Sequence, residues 1–167
     1  PYGYKKKRLF FNQITKQAKC VVFPSLLLKE WMQSYYVALK VKSLIIPHQI
    51  IELDYSKVKL PSYFNPNNFN ILHAGSLLDL RDPLVLVEAY SNFLKLLPEA
   101  KKDTALLFIG NRSIFSNDLE ASKNTLPNLY TSDGYVDFDI VYAMQQKAAI
   151  NIILEAKSEI SPFLPGK

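Results

Sequence analysis

The chain has 167 residues, 49% of them hydrophobic and 21% charged, with one cysteine and a net charge of +5. That length supports a real core without disulfide or metal staples, and that apolar content excludes a disordered chain. No run approaches the roughly 20 apolar residues that cross a bilayer. The charge is uneven: residues 1–60 hold 11 Lys/Arg against 3 Asp/Glu, and residues 61–167 hold 9 against 12. The basic excess peaks at Lys5-Lys6-Lys7-Arg8, which reads as a solvated terminus or as a contact with an anionic membrane. Nucleic acid is disfavoured, because neither zinc-ligand spacing nor an aromatic RNA-binding motif accompanies the charge.

A helix is predicted near Leu9–Gln17, then a strand over Cys20–Phe23. Cys20 lies in that apolar run and is expected to be a reduced core thiol, which points to the cytoplasm. The N-terminus carries charge with no apolar segment and cleavage site after it, so no signal peptide is expected. Ser25 is placed to cap a helix with a stripe of Leu28, Met32, Tyr35 and Leu39, and Ser43–Ile46 reads as a strand ending in a turn at Pro47-His48. Residues 49–69 become rich in Pro and Asn towards their end and read as a linker.

From residue 70 the pattern is regular. Asn70–Ala74 is a short apolar strand ending at Gly75. Asp82-Pro83 opens a helix, with Asp as N-cap and Pro in the first turn, and Leu86, Tyr90, Phe93 and Leu97 share one face until Pro98 stops it. Thr104–Ile109 is the second strand, ending at Gly110. A weaker helix over Ile114–Lys123 leads to Asn128–Tyr130 and a turn at Asp133-Gly134. A helix with Ile140, Val141 and Met144 on one face follows Asp137, a candidate cap, and Ala149–Glu155 is the fourth strand. Continuous apolar strands alternating with helices predict an α/β fold: a Rossmann-like parallel sheet with helices on both faces. The expected organisation is 1–50 as the end of one domain, 51–69 as linker and 70–167 as a second domain. The chain starts without Met and ends in a loop, so both ends are expected to continue in a longer protein.

Ligands of open parallel sheets bind beyond the carboxyl ends of the strands, where the strand order reverses. The first and fourth strands of the second domain should flank that crevice. Gly75, Arg81 and the helix start at Asp82 would then face Ser161, Gly166 and Lys167 across it, a set suited to phosphate, and Gly110 at the end of the second strand is a further candidate donor-binding residue. No Gly-x-Gly-x-x-Gly follows any strand, and Pro165-Gly166-Lys167 matches only the end of a P-loop, with Ser161 where its first glycine belongs. His48 and His73 lie far apart and read as structural, and no metal-ligand cluster is visible.

The run Ile71-Leu72-His73-Ala74-Gly75-Ser76-Leu77, then Arg81-Asp82-Pro83, and the segment Ile152–Lys167 together resemble the donor domain of GT-B glycosyltransferases, most closely the glycosyltransferase family 4 type that builds bacterial surface polysaccharides. Cys20–Ser25 and Ile45–His48 resemble that family's last acceptor-domain strands and its crossing into the donor domain. The resemblance implies a nucleotide-sugar substrate, no metal cofactor, a glycan or lipid-linked acceptor and transfer with retention. It places Gly75 at the family's phosphate glycine, Ser76 where an Arg is usual and Arg81 at the Lys position. Tyr135 and Val136, in the turn with Gly134, fall on the segment whose backbone meets the nucleobase. Glu159 resembles the first glutamate of a catalytic pair whose second member would fall at Lys167. The implied location is cytoplasmic, with peripheral contact at the inner face of the membrane, and the chain by itself is expected to be inactive. Two other readings stay open at this point: a non-catalytic nucleotide- or sugar-binding module, and a sugar-nucleotide epimerase of the same fold.

Overall fold

A computed structural model describes residues 2–49, 54–77, 81–132 and 134–155. The described residues divide into two compact units, 2–49 in the first and 54–155 in the second.

In the first unit, helix α1 (Tyr2–Gln17) is followed by strand β1 (Val21–Phe23), helix α2 (Leu26–Tyr35), a 3-10 turn (Val37–Lys40) and strand β2 (Ser43–Ile45). β1 and β2 pair in parallel, Val22 opposite Leu44. Ser25 caps α2 as expected: its Oγ accepts from the Leu28 N–H at 3.2 Å, a bond worth about 1 kcal/mol. The Lys42 ammonium closes the other end of α1, donating to the carbonyls of Lys16 at 2.6 Å and Ala18 at 2.8 Å. Two expectations fail here. The helical stripe breaks at Tyr35, so Leu39, fully buried, belongs to the 3-10 turn instead of α2. Cys20 is exposed: strand side chains alternate, and Cys20 falls on the face of Val22, which is exposed, instead of that of the buried Phe23.

The second unit alternates strand and helix: β3 (Phe69–Ala74), α3 (Leu84–Leu96), β4 (Thr104–Ile109), α4 (Ser116–Lys123), β5 (Leu129–Thr131), α5 (Phe138–Lys147) and β6 (Ile150–Asn151). Its four strands stand in the order β5-β4-β3-β6, and every neighbouring pair is parallel. This is a Rossmann-like sheet, with the reversal of strand order between β3 and β6.

The central strand shows why its sequence is apolar throughout. All six residues of β4 are buried. Leu106 and Phe108 face a core built with Val87, Tyr90 and Leu94 of α3 and Leu119 of α4, whereas Ala105, Leu107 and Ile109 face a second core with Met144 of α5. Helices therefore cover both faces. α3 starts one residue later than expected: Pro83 stands at the N-cap, and Asp82 before it accepts the Leu84 N–H on Oδ1 at 2.8 Å. Its buried face is centred on Val87, Tyr90 and Leu94 and flanked by Leu86 and Phe93, while Leu97, expected inside, is 42% exposed. Asp137 precedes α5 but its side chain makes no capping bond. The fourth strand is shorter than expected, although the Ile152 N–H still donates to the Leu72 carbonyl at 2.8 Å.

The stretch read as a linker is partly core. Tyr55 and Phe64 are buried, and Phe64 joins Leu72, Leu107 and Met144, with Leu60 and Tyr63 packed around it. The Tyr63 ring stacks on Tyr130 of β5 at 3.7 Å between centroids, and burial, then the Tyr130 hydroxyl, pushes the Tyr63 phenol up to about 12.

Candidate functional site

The carboxyl ends of β3, β4 and β5 come together through their glycines. As β3 ends, the Gly75 N–H donates to the Ile109 carbonyl at 2.7 Å and the Leu77 N–H to the Asn111 carbonyl at 2.8 Å. The chain leaving β3 thus stays alongside the chain leaving β4. At Gly110 the two backbones touch. A Cβ on Gly110 would stand 2.6 Å from the Gly75 carbonyl oxygen and 2.8 Å from its carbon, and Gly110 holds φ +132, a conformation side chains rarely adopt. Glycine is therefore required at this position by both space and dihedral angle.

The third loop is attached by one side chain. Ser132 is 3% exposed; its Oγ accepts from the Gly110 N–H at 2.8 Å and lies 2.9 Å from the Gly134 carbonyl, to which it donates. Gly110 and Gly134 also form an isolated antiparallel bridge, and Gly134 has φ +123. On the other side of the reversal point, His73 is buried in β3 and its Nδ1 lies 3.0 Å from the Ile152 carbonyl, which fastens the exit of β6 to β3. His73 thus has the structural role expected of it, and His48 is exposed.

Among the residues singled out by sequence, Gly75 and Gly110 meet at this edge of the sheet. Ser76 is exposed and Arg81 half-buried just before α3. Tyr135 is 86% exposed beside Gly134, and Val136 packs on the core under α5. Glu159, Ser161, Gly166 and Lys167 lie outside the described residues.

The sequence reading missed two features. Ser132 sits between a strand and a turn and reads as an ordinary turn residue; its partner Gly110 is 22 residues away in sequence, beyond any local spacing rule. The other is an ion cluster behind the β4 loop. The Arg112 guanidinium pairs with Glu120 and donates to Thr131 Oγ1 at 3.1 Å, while Lys123 reaches the same carboxylate at 3.1 Å. Lys123, then Arg112 and Thr131, hold the Glu120 carboxyl below its usual range. The Glu120 side chain is 48% exposed, so solvent screens the cluster and its main effect is to orient the loop. A hollow of about 550 Å³ at the start of α5, lined by Val58, Lys59 and Asp137–Ile140, contains neither Gly75 nor Gly110. We place the candidate site at the strand ends because the strand order reverses beside β3 and the chains leaving β3, β4 and β5 meet there.

Among the described residues no cluster of His, Cys, Asp and Glu could hold a metal ion, and no helix is long and apolar enough to cross a membrane. No family model and no curated protein matches the sequence. Among solved structures the chain is similar to the apo structure of OtsA, at 14% identity with a TM-score of 0.47, covering 66% of this chain and 30% of that one. The chain thus spans less than a third of the length of that structure.

Proposed function

We propose that this chain is the donor-binding part of a nucleotide-sugar glycosyltransferase of the GT-B type, which passes the sugar with retention to a glycan or lipid-linked acceptor. One observation carries the reading. The parallel order β5-β4-β3-β6 puts a reversal beside β3, and the strand ends there carry glycine backbones packed so closely that no side chain intervenes. Such an edge lets a ligand come close to the backbone, and Arg81, half-buried just before α3, offers a cation to an anionic diphosphate there. The resemblance over Ile71–Leu77 and Arg81–Pro83 names the donor.

With Ser76 where that resemblance expects a cation, Arg81 carries the fixed charge of the first loop. A charge-assisted bond to phosphate is worth roughly 1.5–3 kcal/mol, so Arg81→Ala should weaken binding of a nucleoside diphosphate by about tenfold or more. Affinity for the free nucleoside should stay unchanged. Titration calorimetry with both ligands reads the difference. Equal diphosphate affinity in both proteins would remove Arg81 from the site, and no binding of either ligand by the unsubstituted chain would overturn the reading.

Peripheral docking on an anionic membrane is part of the same proposal. Lys5, Lys6, Lys7 and Arg8 share α1 with Phe10, 61% exposed, and Ile14, 43% exposed, which lie four residues apart on one face. A basic helix with outward apolar side chains suits the headgroup region, where each cation contributes about 1 kcal/mol. Replacing the four cations by Gln should abolish most binding to anionic vesicles, and added salt should weaken what the native chain shows. Binding insensitive to both changes would leave the cluster as a solvated terminus.

A further inference from the structure

We infer that Ser132 is the residue that sets the nucleobase-facing segment in register with the phosphate-facing loop. The inference rests on the donor-site reading above and deepens it. A hydroxyl has one proton to donate and lone pairs to accept with. Ser132 uses both across the two loops: Oγ accepts the Gly110 N–H at 2.8 Å and donates to the Gly134 carbonyl at 2.9 Å, the nearer of two acceptors, the Gly110 carbonyl lying at 3.3 Å. The side chain is 3% exposed, so water does not replace either bond in place. The backbone itself is committed just above, where the Ser132 N–H donates to the Phe108 carbonyl at 3.0 Å and extends the β4–β5 pairing.

This hydroxyl is therefore a strut between two glycines that both hold positive φ and contribute no side chain of their own. Gly110 is fixed a second time, by its close packing on Gly75. Gly134 lacks such packing, since a Cβ placed there would meet nothing within 4 Å, and it is held by the backbone bridge to Gly110 and by the hydroxyl. Without the strut, the Gly75–Gly110 edge keeps its shape, and the segment Gly134–Val136 loses one of its two ties to Gly110, keeping the backbone bridge. The phosphate half of the site then survives while the base half drifts. Ser132 acts through the backbone it holds, as a positioning residue.

The experiment measures three ligands by calorimetry on the whole 167-residue chain: pyrophosphate alone, the free nucleoside, and the nucleoside diphosphate. Ser132→Ala should weaken the nucleoside and the nucleoside diphosphate by the same factor, about tenfold, and leave pyrophosphate affinity unchanged. Ser132→Thr, which keeps the hydroxyl, should restore most of the loss. Gly134→Ala provides a second route should Ser132→Ala fold poorly, since it meets open space yet resists φ +123, and it should give the same selective pattern. An equal loss for all three ligands would mark Ser132 as merely structural and overturn the inference, as would unchanged nucleoside affinity in both variants. Failure of the unsubstituted chain to bind any nucleotide would overturn the functional reading and this inference with it, and is recognised by the wild-type titration alone.

Discussion

Gly110→Ala should destabilise the second unit by about 2–6 kcal/mol and abolish the proposed nucleotide binding with it. Two separate effects add. The residue is held at φ +132, and forcing a side chain into such a conformation costs about 1–3 kcal/mol. The new methyl group would also stand 2.6 Å from the Gly75 carbonyl oxygen, a backbone atom that cannot rotate away. Gly75 is itself tied to β4 by its N–H bond to Ile109, so relief requires the ends of β3 and β4 to part; overpacking of this kind costs roughly a further 1–3 kcal/mol. A domain stabilised by roughly 5–15 kcal/mol in total feels that loss. Gly134→Ala separates the two effects: it has a similar φ of +123 but nothing within 4 Å of the added carbon, so it should cost only the conformational part. Urea unfolding of both variants tests the comparison. Equal losses would mean that the Gly75 contact has no energetic consequence and that the two loops are free to separate.

That pair of glycines also shows what a sequence can and cannot reveal. Gly75 and Gly110 were visible as ends of apolar strands, and the strands were visible because both faces of a parallel sheet are buried and leave no room for alternation. Thr104–Ile109 matches β4 residue for residue. The reversal of strand order followed from the same alternation of strands and helices. The phase of α3 did not, because the helix carries apolar residues nearly all round. Leu86/Tyr90/Phe93/Leu97 and Val87/Tyr90/Leu94 both satisfy helical spacing, and only packing on β4 chooses between them. Cys20 failed for a smaller reason: a short apolar run does not say which alternate side chains face inward, and Cys20 shares the outer face with Val22. Ser132 and the Arg112–Glu120–Lys123 cluster depend on contacts between chain segments that no periodicity encodes. The catalytic carboxylate expected at Glu159 and the cation expected at Lys167 lie beyond the described residues.

The segment before β3 yields the second large effect. Phe64→Ala should cost about 3–5 kcal/mol, the range for deleting a fully packed aromatic side chain. The sequence around it spells turns, and turns are what forms: the Phe64 N–H donates to the Pro61 carbonyl at 3.0 Å, and Asn65 Oδ1 accepts from the Asn67 N–H at 3.0 Å. Those bonds curl the chain under the sheet, so that Phe64, 3% exposed, reaches Leu72, Leu107 and Met144. The fully buried Asn70 then locks the turn to β3, donating from Nδ2 to the carbonyls of Asn65 at 2.8 Å and Asn68 at 3.1 Å. A true tether between domains would do none of this, and substitutions in it would fall within about 0.5 kcal/mol. Phe69→Ala is the fitting control, since that ring is 49% exposed at the start of β3. Urea unfolding of the two variants should place Phe64→Ala far below both Phe69→Ala and the native chain. A loss under about 1 kcal/mol for Phe64→Ala would return residues 54–68 to the role of a spacer. The expected loss instead makes them the first layer of the core beneath β3 and β4, so that the Gly75–Gly110 edge is held from below as well as from its neighbours.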